Sequence, residues 1–258
     1  MTDEQPLHTS HVGNVLVARL DRSDARNALT PALINAIGGA VVAAETDDAV
    51  RAIVLTGSGE RAFCAGMDLR AFASGVEFTL DDATSDAFMR LLDGRARVPV
   101  VGAANGAAVA GGFELMLACD VIVAAEHATF ALPEVKRGLI PAGGGIFLGT
   151  RVPLGVALEI TLTGDAISAA RAYELGLVNA VVAATDLLPR ALDLAERIAG
   201  NGPLAVAAIK ELVRLGVDDA ARARERMREL QPEVFASEDA QEGARAFVEK
   251  RAPVWRGR

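Results

Sequence analysis

Two glutamates and two glycine-led helix starts carry the chemistry that this chain's residue types allow. Glu114 follows Gly111-Gly112-Phe113 and is itself followed by the apolar run Leu115-Met116-Leu117-Ala118. Glu134 follows Leu132-Pro133, twenty positions later. Buried carboxylates are rare unless paired. Two of them in one partly desolvated cleft push one pKa upward, which makes one an acid and the other a base near neutrality. Upstream stands Phe63-Cys64-Ala65-Gly66-Met67-Asp68-Leu69. A glycine before a helix start lets the backbone turn sharply and leaves the next N–H groups without partners. Met67 and Gly111 therefore each offer a free N–H, the second reinforced by a helix dipole. Two donors on one oxygen form an oxyanion hole, and with a carboxylate pair they suit enolate chemistry on a thioester. Taken singly, each segment reads as an ordinary strand-to-helix turn, and each glutamate as a complement to a helix N-terminus.

These groups need elements to position them. Residues 12–20 alternate as a first strand, and a polar turn follows over 21–27. Thr30 caps a helix with Pro31 at its first position, running to about residue 45. Residues 51–56 form a short β-branched strand closed by Gly57-Ser58-Gly59. A loop and then a helix over 81–92 lead to an apolar strand at 99–104, which ends on the turn pair Asn105-Gly106. Gly111 and Gly112 open the next helix, and 119–125 reads as a fourth strand. Residues 129–132 are short and extended, and Pro133 begins a further helical turn. Alternating strands and helices predict an α/β layered domain. From Asp186 onward, four segments (187–198, 203–215, 218–230 and 237–250) show helical spacing. The organisation expected is a β/α core over 1–185 and a helical region over 186–258, with apolar faces in excess of what one core needs.

Composition narrows the function classes. The chain has 258 residues, 51% hydrophobic and 23% charged, with a net charge of -8. That balance argues against a nucleic-acid surface but leaves room for an anionic small ligand at local arginines and helix N-termini. No apolar run is long enough for a membrane span, and residues 1–10 lack the pattern of a secretory signal, so a cytoplasmic protein is expected. Cys64 and Cys119 form no CxxC pair, and His8, His11 and His127 have no metal-ligand spacing. No metal site is expected.

The motifs occur together in an order that resembles the enoyl-CoA hydratase/isomerase (crotonase) family. They are Phe63 to Leu69, Ala104-Asn105-Gly106, Gly111-Gly112-Phe113-Glu114-Leu115, Leu132-Pro133-Glu134, Gly138-Leu139-Ile140-Pro141, Leu162-Thr163-Gly164-Asp165, Ala172-Tyr173-Glu174-Leu175-Gly176-Leu177-Val178 and Phe247-Val248-Glu249-Lys250-Arg251. The resemblance runs from about Asn14 to the end. It implies an α/β, crotonase-like spiral of ββα units with a helical C-terminal trimerisation region, assembled as a homotrimer or a dimer of trimers. It implies an enoyl- or acyl-CoA thioester as substrate, with coenzyme A present as part of that substrate and no cofactor required. By motif matching, Met67 and Gly111 supply the oxyanion-hole N–H groups, and Glu114 and Glu134 are the catalytic pair of a hydratase that adds water to a trans-2-enoyl-CoA. The same matching places coenzyme A near Arg22, Asp24, Ala25, Arg26 and Ala65, and brings Asp68, Leu69, Pro133, Pro141 and Ala142 to the substrate. Phe247, Lys250 and Arg251 match residues that reach a neighbouring subunit's coenzyme A. The variable segment 72–97 is expected to line the acyl pocket.

Four residues depart from the hydratase pattern: Ala142 where glycine is usual, Phe113 where a small residue is usual, and the bases Lys136 and Arg137 where apolar residues are usual. Glu114 is assigned mainly to the base role and Glu134 mainly to the acid role, and their order stays open. The alternatives are an enoyl-CoA isomerase, another crotonase-type dehydratase, or a non-catalytic acyl-CoA-binding protein.

Overall fold

Residues 5–68 and 82–258 are described by the computed structural model of the chain. The chain opens with a hairpin, β1 (Leu7–Val12) and β2 (Val15–Leu20). The single strand expected over 12–20 is thus the second arm of a pair that turns at Gly13-Asn14, where Gly13 takes φ +55°. His8 and His11 lie on β1, paired opposite Arg19 and Leu16. Helix α1 (Pro31–Thr46) begins as its sequence predicts: the Thr30 hydroxyl accepts the N–H of Leu33, and proline occupies the first turn.

The next strands come in pairs: β3 (Ala52–Gly57) with β4 (Ala62–Cys64), β5 (Val100–Ala104) with β6 (Ala107–Val109), and β7 (Val121–Ala125) with β8 (Thr129–Ala131). Helix α2 (Asp82–Leu92) follows the first pair and α3 (Gly111–Ala118) follows the second. The first member of each pair joins a six-stranded sheet and the second joins a four-stranded one. With β9 (Ile167–Ser168) and β10 (Ala180–Val182), the orders are β1-β2-β3-β5-β7-β10 and β4-β6-β8-β9. Within each sheet the successive members pair in parallel. Each ββα unit therefore advances both sheets by one strand, which is a spiral.

Strand alternation divides the interior in two. Ile53 and Leu55 face a core shared with α1, α2 and α3, while Ala52 and Val54 face a second core. Beyond the spiral come α4 (Leu148–Arg151), α5 (Leu154–Thr163), α6 (Ala169–Glu174) and α7 (Leu187–Ala199). Helix α7 closes the second core with Leu187, Ala191, Ala195 and Ala199, one residue per turn along one face. Helices α8 (Pro203–Asp218), α9 (Ala220–Ala236) and α10 (Glu238–Glu249) complete the chain. Among the described residues, no helix is long and apolar enough to cross a membrane.

Candidate active site

The Glu114 helix starts at a strained residue. Ala110 adopts φ 52° and ψ -126°, a region that L-residues with a Cβ rarely enter. Its N–H is bound to the Ala131 carbonyl at 2.9 Å, and its own carbonyl accepts from Phe113 and Glu114 at 2.8 and 3.0 Å. This bend turns the strand end of β6 directly into α3 and leaves the Gly111 N–H outside both elements. The helix start lies hard against the end of β4. A side chain at Gly112 would collide with the Cys64 carbonyl oxygen, so only glycine fits there.

The Met67 segment is pinned beside it. Leu29 donates to the Gly66 carbonyl at 2.8 Å and accepts from the Asp68 N–H at 3.0 Å. In this one-residue parallel bridge, Met67 turns its own N–H away from Leu29. Gly66, at φ +83°, makes the turn that this requires. A Cβ placed on Gly111 would lie 3.7 Å from the Gly66 Cα, so the two segments touch. Among the described residues, neither the Met67 N–H nor the Gly111 N–H has a backbone acceptor.

Both glutamates are buried. Glu114 Oε1 accepts the N–H of Gly143 at 2.7 Å and that of Gly145 at 2.9 Å. These donors were not singled out from the sequence; the run Gly143-Gly144-Gly145 after Pro141 was the available signal. Glu134 opens the 3-10 turn Glu134–Arg137, and its Oε2 is buried with no hydrogen-bond partner among the described residues. Burial raises the pKa of Glu134, and the charge of Glu114 raises it further. The carboxyl's bond to its own backbone and the nearby Arg137 guanidinium act the other way.

The structure describes each of the departures noted in the sequence. The Ala142 side chain is exposed, and the donors to Glu114 are the two glycines beyond it. Phe113 points into the core, its ring 5.3 Å from that of Phe130. Lys136 and Arg137 lie exposed on the same turn as Glu134.

Around the first cleft edge, Ser23–Ala25 form a 3-10 turn followed by Arg26 and Asn27, both at positive φ. The Arg26 carbonyl accepts from the Ala65 N–H at 3.0 Å, which joins this turn to the Met67 segment. Arg22 donates to the Ala28 carbonyl and lies 3.7 Å from Asp68. An open surface groove bounded by Gln5, His8, Asp21 and Ser23 also lies against Arg22, Asp24 and Ala25. Asn27, missed in the sequence, is the buried organiser. Its Nδ2 donates to the Ser58 and Ala62 carbonyls at 3.0 Å each, and its Oδ1 accepts the Arg22 N–H. Arg22, Asp24, Ala25, Arg26, Ala65 and Asp68 thus gather on one rim. Pro133 and Pro141 are half-buried beside the glutamates.

The remaining predicted residues are placed elsewhere or not described. Leu69 and residues 72–81 of the expected acyl-pocket segment lie outside the described residues. Phe247 is 85% exposed, and Lys250 takes φ 54° just beyond α10. Arg251 is bound by Glu242 and Glu249. Within one chain, no hydrogen bond or ion pair among the described residues links these three to the glutamates.

The far end of α3 is anchored from two sides. Arg151, at the end of α4, donates to the Leu117 carbonyl at 2.8 Å, and Arg214 of α8 donates to that of Ala118 at 2.8 Å. Asp120 partly offsets the positive charge of this corner, accepting from Arg214 and Lys210 at 2.8 Å each and from the Val100 N–H at 2.8 Å. The orphan carbonyls of the helix are thereby satisfied.

Comparison with known proteins bears on the family and the fold. The family model described as enoyl-CoA hydratase/isomerase matches residues 11–258. A carnitinyl-CoA dehydratase of Proteus mirabilis is 41% identical over 262 residues, covering 98% of this chain and 99% of that protein. The solved enoyl-CoA hydratase of Mycobacterium marinum superposes with a TM-score of 0.90 at 40% identity, over 99% of this chain and 100% of the other. A carnitinyl-CoA hydratase from Mycobacterium avium gives 0.78 at 42% identity, over 99% and 100%. By fold, motif order and full-length likeness, the chain belongs to the enoyl-CoA hydratase/isomerase family.

Proposed function

We propose that this chain is a hydro-lyase that adds water across the double bond of a trans-2-enoyl-CoA, and removes it in reverse from the 3-hydroxyacyl-CoA. The observation that carries this reading is the carboxylate pair. Glu114 is oriented by two backbone N–H groups, and Glu134 is buried with one oxygen unpartnered, beside two free N–H donors. The thioester carbonyl accepts from the Met67 and Gly111 N–H groups, which stabilise the charge that develops as water attacks the β-carbon. Glu114 Oε2 takes a proton from that water while its oxygen bonds to the β-carbon. Glu134, whose proton burial holds more tightly, gives that proton to the α-carbon. The incoming water of the next cycle returns a proton from Glu114 to Glu134.

The rim of Arg22, Asp24, Ala25, Arg26 and Ala65 holds the coenzyme A portion, with cations for its phosphates and backbone carbonyls for its base. The reading extends to assembly. Helix α5 leaves Leu154, Leu158 and Leu162 exposed, and α8 leaves Ile209, Val213 and Val217 exposed, each set at one residue per turn. Such stripes fit packing between copies of this chain, in a trimer or a dimer of trimers.

Loss of enoyl absorbance with crotonyl-CoA and longer trans-2-enoyl-CoAs tests the reading, run beside Glu114→Gln and Glu134→Gln. Rapid loss with the wild type and a fall of about 10²–10⁴ in each variant is expected. Binding of the thioester without turnover would overturn it.

A further inference from the structure

Arg137 is an exposed cation on the turn that carries Glu134. Among the described residues it forms no ion pair, whereas its neighbour Lys136 is bound to Asp165 at 2.6 Å. Its one bond is long, from Nη1 to the Pro133 carbonyl at 3.4 Å, and it folds the guanidinium back over the turn that carries Glu134. Arg137 also stands three residues after Glu134 in a 3-10 turn. In that helix, side chains at i and i+3 eclipse, and they are separated by about 6 Å along the axis. The two side chains therefore share one face, with Glu134 buried at the inner end and Arg137 exposed at the outer end. Val135, Leu139 and Ile140 are exposed hydrophobic residues beside it. The guanidinium is felt at the Glu134 carboxyl, where it opposes the effect of burial.

With the reacting carbons at Glu134, as the hydratase reading has them, an acyl tail that runs outward along this face comes within reach of Arg137. We propose that Arg137 selects the acyl group by charge, so that the substrate class is an enoyl-CoA whose acyl tail ends in an anion such as a carboxylate. The inference rests on the hydratase reading for the direction in which the acyl tail runs. A carboxylate tail forms a charge-assisted, two-point pair with a guanidinium. A quaternary ammonium tail, as in a carnitinyl thioester, meets a like charge there. The chain would thus differ in substrate from relatives named for carnitinyl-CoA.

Equilibrium binding of three saturated thioesters to the full chain tests this without turnover. They are glutaryl-CoA (anionic tail), butyryl-CoA (neutral) and 4-trimethylammoniobutyryl-CoA (cationic), titrated calorimetrically into the wild type, Arg137→Gln and Arg137→Lys. The wild type is expected to bind the anionic tail about tenfold tighter than the neutral one, and the cationic tail about tenfold weaker. Arg137→Gln should bring the three together, and Arg137→Lys should restore the order. No ranking by charge in the wild type, or the same ranking in Arg137→Gln, overturns the inference. Hydration of crotonyl-CoA and of glutaconyl-CoA, its carboxylate-tailed counterpart, by the same preparation separates the two readings, hydration of either counting as hydration. Hydration without charge ranking overturns this inference alone, and ranking without hydration overturns the hydratase reading alone. Failure to bind any of the three overturns both.

Discussion

Gly143 donates its backbone N–H to Glu114 Oε1 at 2.7 Å, a bond that spans 29 residues of sequence. With the second donor, Gly145, it fixes the plane of the carboxylate and leaves Oε2 as the oxygen free to meet water. The loop that supplies these donors continues into α4, whose last residue, Arg151, holds the opposite end of the Glu114 helix through the Leu117 carbonyl. One segment therefore grips the Glu114 helix at its carboxylate and at its C-terminus.

Substituting Gly143 by alanine should separate catalysis from folding. The new Cβ would lie 2.8 Å from Glu114 Oε2 and 3.3 Å from Leu92 Cδ1, so the carboxylate must turn away from its working position. The N–H donor itself is kept. Expected are a fall of about 10²-fold in kcat and little change in the melting temperature or in the affinity for a saturated thioester. Wild-type turnover in Gly143→Ala would show that Oε2 does not hold the water.

The raised pKa of Glu134 has a definite sign in both stability and rate. The folded chain holds this proton more tightly than the unfolded chain, where the carboxyl returns to its usual value of 4.5. The stability that comes from protonated Glu134 is therefore complete below pH 4.5 and is lost as pH rises through the raised value. Glu134→Gln carries no such loss. Its melting temperature should match the wild type at low pH and exceed it increasingly as pH rises. Wild-type turnover should decline over the same window, as the acid loses its proton. Parallel thermal scans from pH 4 to 9, with rates measured across the same range, check both limbs. Equal pH dependence of melting in the two proteins would remove Glu134 as the acid.

Much of the site was legible where local rules operate. Gly111-Gly112 before Phe113-Glu114 announced a helix start with a carboxylate in its first turn, and Thr30-Pro31 announced the cap of α1. What was missed depends on contacts between distant segments. Strands β4 and β6 are three residues each, too short for a period of two to register. Strand β1 of the hairpin fell outside the alternating run because Leu7–Val12 buries only Leu7, so no period of two registers there. Asn27 looked like any turn residue, yet it is fully buried and ties three loops together. No local feature tells an asparagine that caps a turn from one that the fold then closes over.

Asp120 should prove costly to remove. Its carboxylate answers Lys210 and Arg214, and the Lys210 side chain is only 9% exposed. Asp120→Ala leaves those cations with no counter-charge near the end of α3, and an unpaired buried charge destabilises by about 3 kcal/mol. Urea unfolding should show the midpoint falling with an unchanged slope. A loss below about 0.5 kcal/mol would mean that water reaches the corner and that the cluster does not anchor α8 to the catalytic helix.

The exposed stripe on α8 offers a test of assembly that leaves the glutamates untouched. Ile209, Val213 and Val217 are each at least 60% exposed and stand one turn apart. Each large aliphatic side chain gains about 1.5–3 kcal/mol on full burial, so covering this stripe of three would favour association. Val213→Glu places a charge in the middle of that surface, where burial would leave it unpaired. Sedimentation velocity at micromolar concentration should find the wild type as a trimer or hexamer and Val213→Glu as a monomer with unchanged helical circular dichroism. If the isolated subunit also loses hydratase activity, the site is completed across the interface, as expected for Phe247 and Lys250. If it keeps full activity, every group the reaction needs lies within one chain. A wild type that sediments as a monomer would instead leave the α8 stripe to some other partner.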